Sequence, residues 1–394
     1  MNRLTARLRS LAIATLAATL ALQAPVPARA ADPYEINVII PLTGIGAFLG
    51  KNEAAALGLI EKNVNAGGGI RGRQIKFVIQ DDQSNPQVSV QLLNGLIAKK
   101  VPLVLGSTLA GMCSAMLPLL ENGPVDYCFS SAVHPPKGSY MYSGNLSTGD
   151  LIAILMRYYR ERGWTKLALI VTTDASGQDG ERGVDAALAT AENKGLTIVS
   201  REHFAGGDLS VSAQIARVKA SGAQALIVYA AGTPLGTVLH GVSDAGLDIP
   251  LGTTSANLSY EAMKQFASIL PKELYFVAPP GVAYEALPRG ALKDTVRTFV
   301  DSTKAAGLHA DIGLIAAWDP GIITISALKK FGFGMTAVQM KDYIDHLYDF
   351  PGVYGIYDFR DGSQRGLAPS NGIVVKWDPA RDYWVPVSKF GGTL

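Results

Sequence analysis

The strongest constraint on this chain is a repeated alternation of short apolar runs with longer amphipathic stretches. The runs INVII (36–40), QIKFVIQ (74–80), PLVLG (102–106) and VDYCF (125–129) form one series. After a loop at 130–148, KLALIVTT (166–173), LTIVS (196–200), ALIVY (225–229) and IPLGT (249–253) form a second. Between them lie segments of helical character. In 51–65, Ala54, Leu57, Leu59, Ile60 and Val64 approximate one face, and Ala66 with the glycines at 67–69 ends it. Asn85-Pro86 opens the next helix, because proline suits a first turn whose N–H has no partner. The second series carries helices at 149–162, 180–194, 210–221 and 234–245. Near-continuous apolar strands separated by amphipathic helices belong in parallel sheets covered on both faces. Two such series predict an α/β fold of two doubly wound lobes. The tail offers helices at 290–306, 312–330 and 336–348 and short strands near 353–358 and 372–377, too little for a third lobe, so it completes the first two. The chain then crosses between lobes near 145–148, 278–284 and 359–366. That gives one lobe from 31–147 plus 281–362, another from 148–280 plus 363–394, and a hinge between them.

Residues 1–30 stand apart from this pattern. Arg3, Arg7 and Arg9 precede an uncharged run from Leu11 to Leu22, then Pro25, Pro27 and Ala28-Arg29-Ala30. The run is too short to cross a bilayer and small residues precede a cleavage point, so the segment reads as a secretory signal peptide. Without Arg3, Arg7, Arg9 and Arg29 the formal charge moves from +2 to −2. No basic cluster remains to meet a nucleic-acid backbone. No later segment has 18 uninterrupted apolar residues, so no membrane insertion is expected and the protein is placed in the periplasm, as a monomer. An oxidising compartment favours pairing the 2 cysteines, Cys113 at a helix start and Cys128 at a strand end, both at one sheet edge.

Catalytic signatures are weak. Thr43-Gly44-Ile45-Gly46-Ala47-Phe48-Leu49-Gly50 follows the first strand, but a dinucleotide loop needs an acid about 20 residues on. Asp81 lies well beyond that distance, so the glycines read as a turn that brings backbone close to a ligand. Asp81-Asp82 has no histidine near it in sequence and reads as strand-end hydrogen bonding. The five histidines, 134, 203, 240, 309 and 346, form no HExxH pattern, and no GxSxG elbow occurs. No enzyme activity, cofactor or metal is expected. An exported oxidoreductase using the 44–50 loop is the enzyme alternative, and it would require bound nucleotide.

More informative is Gly106-Ser107-Thr108-Leu109-Ala110-Gly111, which joins a buried strand to a helix. Backbone N–H groups there would accept an anion, most simply a carboxylate. Ser130-Ser131-Ala132-Val133-His134 ends the next strand at the same sheet edge. Together they predict a polar, backbone-rich crevice.

Several segments resemble a known family: PLTGIGAFLG (41–50), NAGGGIRGRQIKFVIQDDQSNP (65–86), the LGS turn (105–107), DASGQDG (174–180), AAWDP (316–320) and GVYGIYDFRDGSQRG (352–366). In order and spacing these look like the branched-chain amino acid (Leu/Ile/Val-binding) type of periplasmic substrate-binding protein. The resemblance covers nearly the whole chain beyond residue 30. It implies a type I periplasmic binding fold, a two-lobed "Venus flytrap" with three crossover strands, no catalysis, and a ligand held between the lobes. It also implies recognition of the closed form by permease subunits of an ABC transporter. A sensory module presenting the ligand to a signalling partner would use the same fold.

Departures from the family pattern bear on the ligand. Where amino acid binders hold the α-carboxylate with a serine hydroxyl, this chain has Ala110, leaving Ser107, Thr108 and the Gly111 N–H to do that work. Where they place an acid on the ammonium, it has Thr254, Ser255 and Ala256. Positions of family aromatics hold Leu49, Gly232 and Gly313, which leaves room for a larger ligand. The expectation is a small organic acid, aromatic or long aliphatic, walled by Phe48, Tyr284 or Trp318 and hydrogen-bonded by His134 and Gln178, in a chamber with no negative group for a cation. A branched-chain or other amino acid is the alternative ligand.

Overall fold

The computed structural model describes residues 31–394, so the segment read as a signal peptide lies outside the described residues. The first series folds as Tyr34–Ile40 (β1), Ala47–Ala66 (α1), Ile75–Asp81 (β2), Pro86–Ala98 (α2), Leu103–Gly106 (β3), Ala110–Met116 (α3), Val125–Cys128 (β4) and Met141–Ser143 (β5). The second is Thr148–Glu161 (α4), Lys166–Thr172 (β6), Ala175–Leu188 (α5), Thr197–Phe204 (β7), Ser212–Ala220 (α6), Ala225–Tyr229 (β8), Thr233–Asp244 (α7), Leu251–Thr253 (β9), Tyr260–Gln265 (α8) and Leu274–Ala278 (β10). The tail comprises Ala291–Ala305 (α9), Ile312–Phe331 (α10), Ala337–Asp345 (α11), Phe350–Pro351 (β11), Ile356–Tyr357 (β12), Ile373–Asp378 (β13) and Tyr383–Phe390 (β14).

Two sheets result. The five-stranded sheet has the order β2-β1-β3-β4-β5 and is parallel throughout. The seven-stranded sheet has the order β14-β13-β10-β9-β8-β6-β7, in which β6 to β10 are parallel and β13 and β14 antiparallel. Its parallel part repeats the strand order of the first sheet, with β6 in the place of β1. Each sheet therefore reverses direction beside its first strand, which opens a crevice at the carboxyl ends of the strands.

Three strands went unpredicted: β5, β10 and β14. Helix starts also differ from expectation. α1 begins at Ala47, so the predicted glycine-rich turn is largely a helical first turn, and α5 begins at Ala175 rather than 180. Both starts use one device. A Cβ on Gly50 would sit 1.9 Å from the Pro41 carbonyl oxygen, and one on Gly177 1.9 Å from that of Thr172. Only a residue without a side chain lets each helix fold back this closely on its preceding strand.

α10 is long and apolar, yet most of it is buried against α1 in the core. Its Asp319 accepts hydrogen bonds from the Val353 and Tyr354 N–H groups at 2.8 Å each and lies 3.0 Å from the Tyr357 hydroxyl. Burial raises this carboxyl to about 6 against those three bonds. Arg365 is buried too. It donates to the Ser143 hydroxyl and the Asn145 carbonyl at 2.7 Å, and to the Ser131 and Val133 carbonyls. Residues from the AAWDP and GSQRG segments thus clamp the places where the chain passes from one sheet to the other.

Cys113 and Cys128 form a disulfide, with Cα atoms 6.2 Å apart, tying α3 to β4.

Candidate ligand-binding cleft

A cavity of about 430 Å³ lies where the carboxyl ends of both sheets meet, within the size range of small-molecule sites. From the five-stranded side it is lined by Ile45, Phe48, Leu49 and Glu53 around the start of α1, by Thr108, Leu109, Gly111 and Met112 after β3, and by Phe129, Ser130, Ser131, Ala132 and Asn145 after β4 and β5. From the seven-stranded side come Thr172, Asp174, Ala175 and Ser176 after β6, Gly206 and Gly207 after β7, Tyr229, Ala230, Ala231 and Pro234 after β8, and Thr254, Ser255 and Ala256 after β9. Ile312 and Ala316 of α10 close one side. Every contributing parallel strand delivers its carboxyl-end loop, as the repeated topology requires.

Of the residues expected at the ligand, Phe48, Leu49, Thr108, Gly111, Ser130, Ser131, Ala132, Thr254 and Ser255 line this cavity. Eight other residues named in the sequence analysis do not. Ser107 is fully buried and its hydroxyl donates to Asp82. Ala110 starts α3 and packs into the core. His134 Nε2 lies 2.8 Å from Asp179 Oδ1, and Gln178 Nε2 donates to the Thr173 carbonyl at 3.0 Å. Gly232 has φ +70° and leaves room for Phe48, whose Cε1 would lie 2.8 Å from an added Cβ. Gly313 likewise admits α1 rather than a ligand, with Asn52 Cβ 2.8 Å away. Tyr284 faces a separate hollow beside Tyr260 and Tyr383, and Trp318 is buried edge-on to Phe299 at 5.0 Å.

The expected carboxylate-binding turn is also chemically different. Both of its hydroxyls are engaged by acids, Ser107 by Asp82 and Thr108, which donates to Glu53 Oε2 at 2.5 Å. Their protons are not available to a ligand. Other lining hydroxyls are those of Ser130, Ser131, Thr254 and Ser255 on the loops after β4 and β9, and of Thr172, Ser176 and Tyr229 at β6, α5 and β8, while the Asn145 amide donates to the Phe129 carbonyl.

Two acids line the wall, Glu53 and Asp174, where a chamber with no negative group for a cation was expected. Asp174 caps α5, accepting from the Gly177 N–H at 2.9 Å and the Thr172 hydroxyl at 3.0 Å, and is exposed. Glu53 is 1% exposed. Burial raises its carboxyl to about 8, opposed by the Thr108 hydrogen bond and reinforced by the charge of Asp82. At neutral pH it carries its proton. The signal for it was present in the sequence: Glu53 stands four residues after Leu49 and four before Leu57, in the middle of the buried stripe of α1.

The sequence profile of the family described as periplasmic binding protein matches residues 33–382. A leucine-, isoleucine-, valine-, threonine- and alanine-binding protein of Pseudomonas aeruginosa is 27% identical over 225 residues, which are 56% of this chain and 59% of that protein. The chain thus spans under two thirds of this curated relative. Among solved structures, the substrate-binding protein LivJ of a branched-chain amino acid transporter from Streptococcus pneumoniae, in complex with isoleucine, superposes with a TM-score of 0.76 at 20% identity, covering 90% of this chain and 99% of that one. A solute-binding protein of an ABC transporter from Rhodopseudomonas palustris, in complex with benzoate, gives 0.73 at 18%, covering 90% and 95%. At these identities the structures establish the fold, and the profile match establishes kinship: the chain belongs to the periplasmic binding protein family and has the type I α/β architecture of its members.

Proposed function

We propose that this protein is an exported, periplasmic solute receptor of an ABC importer, and that its cleft takes a small organic acid with an apolar body, an aromatic carboxylate above all. The observation that carries this reading is the charge state of the cavity wall. Its one buried carboxyl, Glu53, is neutral at pH 7, and no Lys or Arg is among the lining residues. An ammonium group would have to ionise Glu53 against its burial, whereas a carboxylate can be held by the hydroxyl and main-chain donors of the loops after β4 and β9. Phe48, Leu49, Met112, Phe129 and Ile312 supply the apolar wall. In this reading the segments 31–147 with 281–362 and 148–280 with 363–394 act as lobes that close on the ligand. The closed form would then be what the permease subunits recognise.

The amino acid alternative has one observation in its favour, the Asp174 carboxylate at the exposed edge of the cavity. A thermal-shift panel separates the two. Benzoate, hydroxybenzoates and octanoate should raise the melting temperature, since a ligand at a hundred times its Kd adds about 2.7 kcal/mol. Leucine, isoleucine and valine should not. A shift with leucine and none with any acid overturns the proposal.

A further inference from the structure

Glu53 accepts one hydrogen bond, from the Thr108 hydroxyl to Oε2, and no described residue bonds Oε1. Oε1 is not one of the sealed unpaired oxygens, so on this cavity-lining residue it is the oxygen left open to a ligand. The groups packed around it offer no cation. Ser107 and Thr108 are hydroxyls already committed to carboxyls, and Asp82 behind them is another acid. α10 turns Ile312 and Ala316 towards the cavity, its own Asp319 being occupied by Val353, Tyr354 and Tyr357. Asp174 lies on the loop after β6, from the other sheet.

Resting on the reading of the cleft as an organic-acid site, we propose that Glu53 is a specificity-determining residue that keeps its proton and donates it from Oε1 to a carboxylate oxygen of the ligand. The hydrogen bond is charge-assisted, because the acceptor is ionised while the donor is not. It needs no counter-cation in the wall, and the cavity contains none. It also discriminates: a ligand presenting an ammonium at this point forces Glu53 to ionise next to Asp82, and one presenting a methyl leaves the carboxyl unpaired. Burial places the titration of Glu53 at about 8. Affinity for an acid should therefore hold steady at lower pH and fall once the carboxyl ionises.

Calorimetry with benzoate and octanoate between pH 6 and 9.5 tests this on the wild type, E53Q and E53M. In the wild type, Kd should be constant below pH 7 and rise above about 8, approaching about tenfold per pH unit. E53Q, whose amide still donates, should bind within about threefold of wild type at pH 7 and lose the pH dependence. E53M should bind at least about tenfold more weakly, the loss of one hydrogen bond to a charged group. A flat wild-type profile, or an E53M that matches wild type, overturns the inference and leaves the organic-acid reading standing. If neither acid binds the wild type, that reading falls and the inference with it. Isoleucine binding that tightens with pH and vanishes in E53Q would overturn both, making Glu53 a counter-ion for an ammonium.

Discussion

Asp126 is a second buried carboxyl, and it has none of the compensation that Glu53 finds. It lies in β4 in register with Val104 and Met141, and strand alternation puts its side chain on the face of Cys128, among apolar residues. Neither of its oxygens has a hydrogen-bond partner. Burial pushes its carboxyl well above the usual range. The sign of the consequence follows. A group whose folded value is raised contributes stability in full below its ordinary value of 3.8, and loses it as pH rises towards the folded value. Asp126→Asn removes that dependence. Its stability relative to wild type, by urea unfolding, should grow from pH 4 to 8 by up to about 1.4 kcal/mol per pH unit. A constant difference would show that Asp126 is ionised in the folded protein. Asp126 could not be singled out in advance, because VDYCF reads as a buried strand whatever its one acid does. Glu53 could have been, since its spacing from Leu49 and Leu57 puts it in the buried stripe of α1. Ser107 erred in the opposite sense: its place in the turn was legible, but not the acid behind it that takes its proton.

At the scale of elements, most helices and most parallel strands were readable because each is a local pattern of apolar spacing. The strands that escaped depend on partners. β5 has three residues and exists because β4 supplies a ladder for it. β14 contains Pro386, which argues against a strand interior, and it is tolerated because β14 is the edge of its sheet. β10, by contrast, is a plain apolar run, LYFVA, and could have been found. The pairing of Cys113 with Cys128 was legible from compartment and topology together. It joins α3, which lines the cavity, to β4, whose following loop carries Ser130 and Ser131; the Ser130 N–H itself donates to Cys128 Sγ at 3.3 Å. With the cysteines at a sequence separation of 15, the crosslink removes about 3 kcal/mol of unfolded-state freedom. The double variant C113S/C128S should lose stability of about that size by chemical denaturation, and bind benzoate more weakly through a looser Ser130 loop. Unchanged stability would mean that the crosslink stores as much strain as it removes entropy.

For the whole molecule, the contacts that join the two sheets decide whether a cleft can open and close. His134 follows β4 of the first sheet, and Asp179 lies in α5 beside the second, so their 2.8 Å contact spans the divide. Asp179 also accepts from Arg182 at 2.9 Å. Burial pushes the Asp179 carboxyl up, but the hydrogen bonds from His134, Thr148 and Arg182 outweigh it and hold the group below the usual range. The carboxylate is therefore present throughout the neutral range, and its contribution fades only as pH falls through its lowered value. His134 is half exposed, which limits the pair to the range of surface contacts, about 0 to 1 kcal/mol. That is small for folding but not for an equilibrium between open and closed forms, where 1 kcal/mol changes the populations about fivefold. His134→Ala should then leave the melting temperature of the free protein nearly unchanged, while weakening benzoate two- to fivefold, although His134 does not line the cavity. The same variant should have a larger radius of gyration in solution scattering, with ligand restoring the compact form. If His134→Ala binds as tightly as wild type at pH 6 and pH 8, the contact is surface decoration and the closing force resides in the cleft itself, in Glu53 and the apolar wall around it.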